Sequence, residues 1–255
     1  MTTTASPAQL HPCVAHRGWS GGAPENTLAA FKLAMTEPAV QWIELDVHLS
    51  KDEVPVVIHD ATLNRTTNAK GKVRDLTARE LGCLDAGSWF HRVYAGEPVP
   101  TLAQVLEITA GRCRLNIEMK EGTPDPDLFA VRVASLLRAY GRERNSIITS
   151  FETKYLTAVK RHAPEISTGL IIDKRPSSLI ATLKSLEADV LSIGFGHVVP
   201  SLLNETEAAG IRVMAWTPNH PRDLARLAAM PQPFLICTNY PDRWLAAVTK
   251  GIPAR

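Results

Sequence analysis

The sequence predicts an α/β fold, a closed (β/α)8 or TIM barrel with a small insertion after the second barrel strand. From about residue 101 onward, short apolar runs alternate with longer runs whose apolar residues recur at helical spacing. Two earlier apolar runs, which end at His16 and Val47, bring the parallel strands to eight. Eight strand–helix units in 255 residues fit one closed barrel.

The first strand, Cys13–Ala15, leads directly into His16. A helix is predicted over residues 28–35, where large apolar side chains lie three and four positions apart. Asn26 or Thr27 can cap this helix, and a cap is favoured over a ligand role for Asn26.

The second strand carries Glu44 and Asp46, whose side chains share one face because they are two positions apart. Two unpaired carboxylates on one face would repel each other. A solvated face, an ion pair with Arg or Lys, and a metal site all remain open from this pattern alone. The link to residues 55–60 is too short for a crossover helix, so that segment should return antiparallel and place His59 beside the carboxylates.

Residues 65–100 lack clear periodicity and concentrate aromatic side chains between turn residues. A segment of this length between regular elements is typical of a lid, an insert or a binding element. Trp89 and Phe90 either serve such a role or simply pack the segment together. We therefore predict one domain over residues 1–255, with an insertion at about 60–100.

The remaining elements alternate regularly. The predicted strands are 114–119, 146–150, 168–172, 190–193, 212–216 and 234–238. The predicted helices are 101–110, 127–140, 153–162, 177–187, 201–209, 222–229 and 243–248.

Barrel enzymes build their sites at the C-terminal ends of the strands, so the polar residues found there form one set. Glu118 brings a third carboxylate, and three such oxygen ligands suit Mg²⁺ or Ca²⁺. Lys120 and Arg17 are cations suited to clamp a phosphate. His16 and His59 can exchange protons near neutral pH. The set predicts phosphoryl transfer or phosphodiester cleavage.

The overall composition excludes several other classes. A formal net charge of +2 without a basic stripe gives no reason to expect nucleic-acid binding. Neither a signal peptide nor a membrane anchor is expected, because no long apolar segment occurs. The four cysteines lack C-x-x-C spacing and are predicted to be buried free thiols, so the cytoplasm is the expected compartment. The sequence leaves the oligomeric state open, a homo-oligomer included.

The sequence resembles the glycerophosphodiester phosphodiesterase family over nearly the whole chain. The matching residues are His16-Arg17-Gly18, Pro24-Glu25-Asn26-Thr27, Glu44-Leu45-Asp46-Val47, Val56-Val57-Ile58-His59-Asp60, Leu63 with Arg65-Thr66-Thr67, Asn116-Ile117-Glu118-Met119-Lys120, Ser150-Phe151 and Trp216-Thr217.

That resemblance implies metal-dependent hydrolysis of a glycerophosphodiester to sn-glycerol 3-phosphate and an alcohol. It implies a divalent cation, Mg²⁺ or Ca²⁺, on Glu44, Asp46 and Glu118. The remaining implied roles are acid–base catalysis by His16 and His59, phosphate binding by Arg17 and Lys120, and a substrate-lining role for Trp216.

One position departs from the family pattern. The last strand usually closes with Thr-Asp-Tyr-Pro, whereas this chain has Asn239 in place of the Asp. Since the last strand neighbours the first in a closed barrel, residue 239 should lie near His16 or Arg17. Two rival functions remain: a barrel lyase with Lys120 as a Schiff-base amine, and a module that binds phosphodiesters without cleaving them.

Overall fold

A closed barrel of eight parallel strands forms the centre of the computed structural model, which describes residues 6–250. The strands are β1 Cys13–Ala15, β2 Val40–Leu49, β3 Pro55–Val57, β4 Arg114–Met119, β5 Ser146–Ser150, β6 Ser167–Ile172, β7 Val190–Gly194, β8 Arg212–Trp216 and β9 Leu235–Thr238. All except β3 belong to the barrel. It closes because β1 pairs in parallel with both β9 and β2. The predicted (β/α)8 fold is confirmed.

Helices surround the barrel, and all but the first and third of those in residues 6–250 connect or follow its strands. They are α1 Pro7–Leu10, α2 Leu28–Ala34, α3 Ala78–Leu81, α4 Leu102–Thr109, α5 Pro126–Ala139, α6 Thr153–His162, α7 Leu179–Ser185, α8 Pro200–Ala208, α9 Pro221–Ala228 and α10 Pro241–Lys250. Proline opens α5, α8 and α9, where its missing N–H costs no helical hydrogen bond and its fixed φ favours the first turn.

The antiparallel return predicted after the second strand is confirmed. β3 pairs with β2, with Val57 opposite Val47. Just beyond β3, the Ile58 N–H donates to the Asp46 carbonyl at 3.0 Å. This pairing holds the following residue, His59, beside the carboxylate strand.

The chain between β3 and α4 has a small apolar cluster of its own, formed by Val56, Ile58, Leu63, Val73, Leu81, Ala86 and Val99. Trp89 and Phe90 pack edge to face, and the Trp89 indole donates to the Ala86 carbonyl at 2.8 Å. The Tyr94 hydroxyl donates to the Gly22 carbonyl at 3.0 Å, which ties this segment to the loop after β1. The two aromatics therefore contact each other and the segment, while Trp89 stays 40 % exposed.

The prediction of buried free thiols holds for only part of the set. Cys13 and Cys237 are buried on the two neighbouring strands β1 and β9, and all four cysteines are free. Cys113 is half-buried just before β4, and Cys83 is exposed, so burial was wrong for Cys83. It follows α3 in a segment without apolar periodicity, and the inward positions around it are taken by Leu81 and Ala86. Within residues 6–250, none of the helices combines the length and apolar character needed to cross a membrane.

Candidate active site

A cavity of about 170 Å³ opens at the C-terminal ends of the barrel strands. Seven of the eight predicted site residues line it: His16, Arg17, Glu44, His59, Glu118, Lys120 and Trp216. The eighth, Asp46, is buried beside them. A larger cavity of about 440 Å³ lies around Trp42 and Arg114 at the other end of the barrel, and its lining includes one carboxylate, Glu207, and no histidine. The chemistry of the chain therefore concentrates in the smaller cavity.

Three carboxylates meet at the floor of this cavity. Glu44 and Asp46 lie on β2, and Glu118 lies on β4 directly opposite Asp46. One oxygen from each lies within 4.8 Å of the others. Glu44 is 3 % exposed and Asp46 is 1 % exposed, yet Oε1 of Glu44 and Oδ1 of Asp46 have no hydrogen-bond partner. Buried carboxylate oxygens without donors are the arrangement that a hard divalent cation satisfies.

The protonation behaviour of the cluster agrees with that fit. Burial and then the Asp46 charge raise the pKa of Glu118 to about 7 and that of Glu44 well above its usual range. Burial also acts to raise the pKa of Asp46, but the charges of Arg17 and Lys120 outweigh it and lower the pKa to about 2. The three acids therefore cannot all stay ionised at neutral pH without additional positive charge.

Two cations border the carboxylate cluster. Arg17 donates through Nη1 to Glu25 Oε1 at 2.8 Å, and its Nε lies 3.2 Å from Asp46 Oδ2. Lys120 Nζ donates to Glu118 Oε1 at 2.6 Å. Burial acts to lower the pKa of Lys120, but Asp46 and Glu118 outweigh it and raise the pKa. Lys120 is thus a fixed ammonium, which is unsuited to act as a Schiff-base amine.

The two histidines lie on either side of the cluster. His16 Nδ1 lies 2.6 Å from Asn239 Oδ1, and its Nε2 lies 3.8 Å from Glu44 Oε2. This confirms the expected position of Asn239 beside the first strand. Burial, and then the charge of Arg17, lowers the pKa of His16 to about 4.

His59 is held from both ring nitrogens. Its Nδ1 lies 2.7 Å from Asp60 Oδ1, and its Nε2 lies 3.2 Å from Lys120 Nζ. Because the ammonium of Lys120 can only donate, Nε2 accepts and the ring proton resides on Nδ1, toward Asp60. The lone pair of Nε2 therefore points to Lys120 at the cavity wall.

Trp216, at the end of β8, forms an apolar wall of the cavity. Its ring packs edge to face against Phe151, with ring centroids 6.1 Å apart. Trp216 Nε1 is buried without a hydrogen-bond partner. The wall is therefore apolar with one free donor.

Asn26 is not the helix cap that the sequence suggested. Thr27 caps α2, because its Oγ1 accepts from the Ala30 N–H at 3.3 Å. The Asn26 amide instead donates to Asp46 Oδ2 at 2.8 Å and accepts from the Asp46 N–H at 3.2 Å. Its φ of 58° lies in the left-handed region that Asn tolerates better than most residues. Asn26 thus orients a carboxylate of the cluster.

Glu25, Asp60 and Arg65 form a charged network behind the cavity wall, to which sequence reasoning gave no role. Arg65 donates to both carboxylates at 2.8–2.9 Å. Glu25 and Arg65 are 40 positions apart, so no local spacing announces their contact. The only sequence signal was their place in short motifs that match the family.

Fold and site together define a class: a barrel enzyme that acts on phosphate esters. The model of the glycerophosphoryl diester phosphodiesterase family matches residues 16–243. The chain belongs to this family, and the predicted enzyme class, a phosphoric diester hydrolase, is confirmed.

Individual relatives are similar to this chain over almost their full lengths. A glycerophosphodiester phosphodiesterase from Caldanaerobacter subterraneus subsp. tengcongensis is 36 % identical over 239 residues, 93 % of this chain and 98 % of the relative. The solved phosphodiesterase of Oleispira antarctica, in complex with the product sn-glycerol-3-phosphate, is 32 % identical, with a TM-score of 0.88 over 94 % of this chain and 97 % of the other. That of Agrobacterium tumefaciens is also 32 % identical, with a TM-score of 0.80 over 92 % and 99 %.

Proposed function

We propose that the enzyme hydrolyses glycerophosphodiesters to sn-glycerol 3-phosphate and an alcohol, with a divalent cation held by Glu44, Asp46 and Glu118. One observation carries the proposal: buried carboxylate oxygens without partners cluster beside a cavity that is flanked by two histidines. The phosphodiesterase of Oleispira antarctica, which binds sn-glycerol-3-phosphate, supports this choice of product.

A bound Mg²⁺ or Ca²⁺ would offset the negative charge that develops on the phosphoryl oxygens. The oxygen ligands suit both ions. Arg17 and Lys120 are permanent cations at the cavity wall, and we assign them to the remaining phosphate oxygens. Trp216 and Phe151 would line the apolar part of the substrate. In this arrangement, the residues of the chain position the phosphate between the two histidines.

His16 and His59 would carry the two proton transfers. One ring accepts the proton of the hydroxyl group that attacks phosphorus, and the other donates a proton to the oxygen of the leaving alcohol. Both rings are oriented by a hydrogen bond from Nδ1 to residues outside the cavity lining, Asn239 and Asp60. His16 therefore keeps Nε2 for the substrate, whereas Nε2 of His59 would have to exchange its hydrogen bond from Lys120 for one to the substrate.

Replacing either histidine by Ala should lower kcat by ~10²–10⁴-fold, the usual contribution of a positioned acid or base. Release of sn-glycerol 3-phosphate from glycerophosphocholine is the measurement. His162→Ala is the matched control, because His162 pairs with Asp127 on the outer helices at 2.8 Å. A variant of His16 or His59 that turns over as fast as the His162 variant would exclude that histidine.

Asn239→Asp should move the pH–rate profile to higher pH while keeping substantial activity. A carboxylate at Oδ1 stabilises the imidazolium of His16 and raises its pKa from about 4 by ~1–3 pH units. The profile limb that belongs to His16 then moves upward in pH, whether this ring works as acid or as base.

Asn219→Asp provides the control. Asn219 Oδ1 accepts from the Asn239 N–H at 3.0 Å, so a carboxylate at position 219 adds negative charge close to residue 239 without contacting His16. Profiles of kcat/KM measured from pH 4 to 9 should shift less in this variant. An unshifted profile in Asn239→Asp would assign residue 239 a structural role only.

The wider setting of the enzyme is also a proposal. We place it in the cytoplasm, since four unpaired cysteines suit a reducing compartment. We treat residues 1–255 as one domain and the segment at about 60–100 as an insertion. The separate apolar cluster of this segment supports its treatment as an insertion. The two ends of the chain lie outside the described residues.

A further inference from the structure

We propose that Arg65 is a positioning residue that sets the relative placement of Arg17 and His59. The inference rests on the roles proposed above for those two groups. Arg65 does not line the cavity, so it does not touch substrate there. It acts through the two carboxylates Glu25 and Asp60.

The Arg65 guanidinium makes two bidentate pairs, one with Asp60 and one with Glu25. Nε and Nη2 donate to the two oxygens of Asp60 at 2.8 and 2.9 Å. Nη1 and Nη2 donate to the two oxygens of Glu25 at 2.9 and 2.8 Å. A planar fork of this kind fixes orientation as well as distance, and a lysine ammonium cannot reproduce it.

Each carboxylate held by Arg65 in turn holds one group of the site. Glu25 Oε1 also accepts from Arg17 Nη1 at 2.8 Å. Asp60 Oδ1 also pairs with His59 Nδ1 at 2.7 Å. A continuous path of charged hydrogen bonds therefore runs from Arg17 through Arg65 to His59. It joins the loop after β1 to the end of the β2–β3 hairpin.

A purely structural role would leave a different signature. The Arg65 side chain is 43 % exposed, and ion pairs at such positions contribute little to stability because water and salt screen them. Orientation of reacting groups is far more sensitive, since a displacement of about 1 Å can cost ~10²-fold in rate. Loss of Arg65 should therefore reduce catalysis much more than folding.

The first experiment compares Arg65→Gln and Arg65→Lys with Arg138→Gln. Arg138 is matched in exposure, at 46 %, and pairs with Glu165 far from the cavity. We expect Arg65→Gln to lower kcat by ~10–100-fold and to weaken inhibition by sn-glycerol 3-phosphate. The melting temperature should fall no more than in Arg138→Gln. Arg65→Lys should recover only part of the loss, because it restores the charge without the fork.

The second experiment separates positioning from general damage by double-mutant cycles. On a His59→Ala background, Arg65→Gln should have little further effect on kcat. On an Arg17→Ala background, it should have little further effect on inhibition by the product. Effects that multiply fully on both backgrounds, or an Arg65→Gln variant as active as Arg138→Gln, would overturn the inference.

The same variants test the proposed function separately. If His59→Ala and Arg17→Ala were themselves as active as the unmodified enzyme, the assigned roles would fail, and this inference with them. If those variants are impaired while Arg65→Gln is not, only the role of Arg65 is wrong.

Discussion

Glu44→Gln and Asp46→Asn should each lower turnover of glycerophosphocholine by roughly 10⁴-fold or more, and excess chelator should do the same to the unmodified enzyme. A bound divalent ion stabilises the charge of the transition state and so lowers the activation barrier by several kcal/mol. Each 1.36 kcal/mol of barrier changes the rate tenfold. The assay measures released sn-glycerol 3-phosphate after metal removal. Adding back Mg²⁺ or Ca²⁺ in separate reactions should restore the unmodified enzyme and neither variant.

Thermal unfolding supplies the control for folding. Burial first, and then the neighbouring Asp46 charge, raises the folded-state pKa of Glu44 and Glu118, so the metal-free folded protein binds their protons more tightly than the unfolded chain. Stability from this source is complete below the ordinary carboxyl pKa of 4.5 and is lost as pH rises through about 7, the value for Glu118.

In the Glu44→Gln variant the amide cannot ionise, so the variant avoids the part of this loss of folding stability that comes from residue 44. Near pH 7, the metal-free variant should therefore melt at a higher temperature than the metal-free unmodified enzyme. Divalent cation should raise the melting temperature of the unmodified enzyme alone. Glu165→Gln, an exposed partner of Arg138, should change neither activity nor the response to metal. Full activity of the unmodified enzyme in excess chelator would contradict the metal site.

The arrangement of the site could be predicted because the fold is regular. Hydrophobic periodicity placed the eight barrel strands and the helices α2 and α4–α10 to within two residues, whereas α1 and α3 were not predicted. The parallel barrel then brought all strand ends to one rim. Glu44, Asp46 and Glu118 followed from side-chain alternation on two neighbouring strands. His59 required one further step, the recognition that the link after β2 is too short for a helix.

The supporting contacts could not be predicted, for two physical reasons. Asn26 was misassigned because both caps and left-handed turns favour Asn, and only the backbone geometry distinguishes them. The Glu25–Arg65–Asp60 network depends on how the segment after β3 folds back on the loop after β1. Local sequence pattern carries no information on such a contact.

The largest loss of turnover should result from removing one hydroxyl group of the substrate. The glycerol hydroxyl next to the phosphate is suited to act as the nucleophile, because it belongs to the same molecule as the phosphorus it attacks. One histidine would take its proton. The bond from phosphorus to the alcohol oxygen would break, and the other histidine would protonate that oxygen. The resulting cyclic glycerol phosphate would then be opened by water to sn-glycerol 3-phosphate.

An analogue of glycerophosphocholine that lacks this hydroxyl should therefore bind but react ~10⁵-fold more slowly or worse, since a well-oriented internal nucleophile is worth up to ~7–11 kcal/mol. Binding is measured as competitive inhibition of the natural substrate, which keeps affinity separate from chemistry. Phosphorus NMR during turnover of the natural substrate should show a transient cyclic phosphate. Equal turnover of the two compounds would instead indicate direct attack by water. It would exclude the internal nucleophile while leaving the carboxylate cluster and the two histidines in their proposed roles.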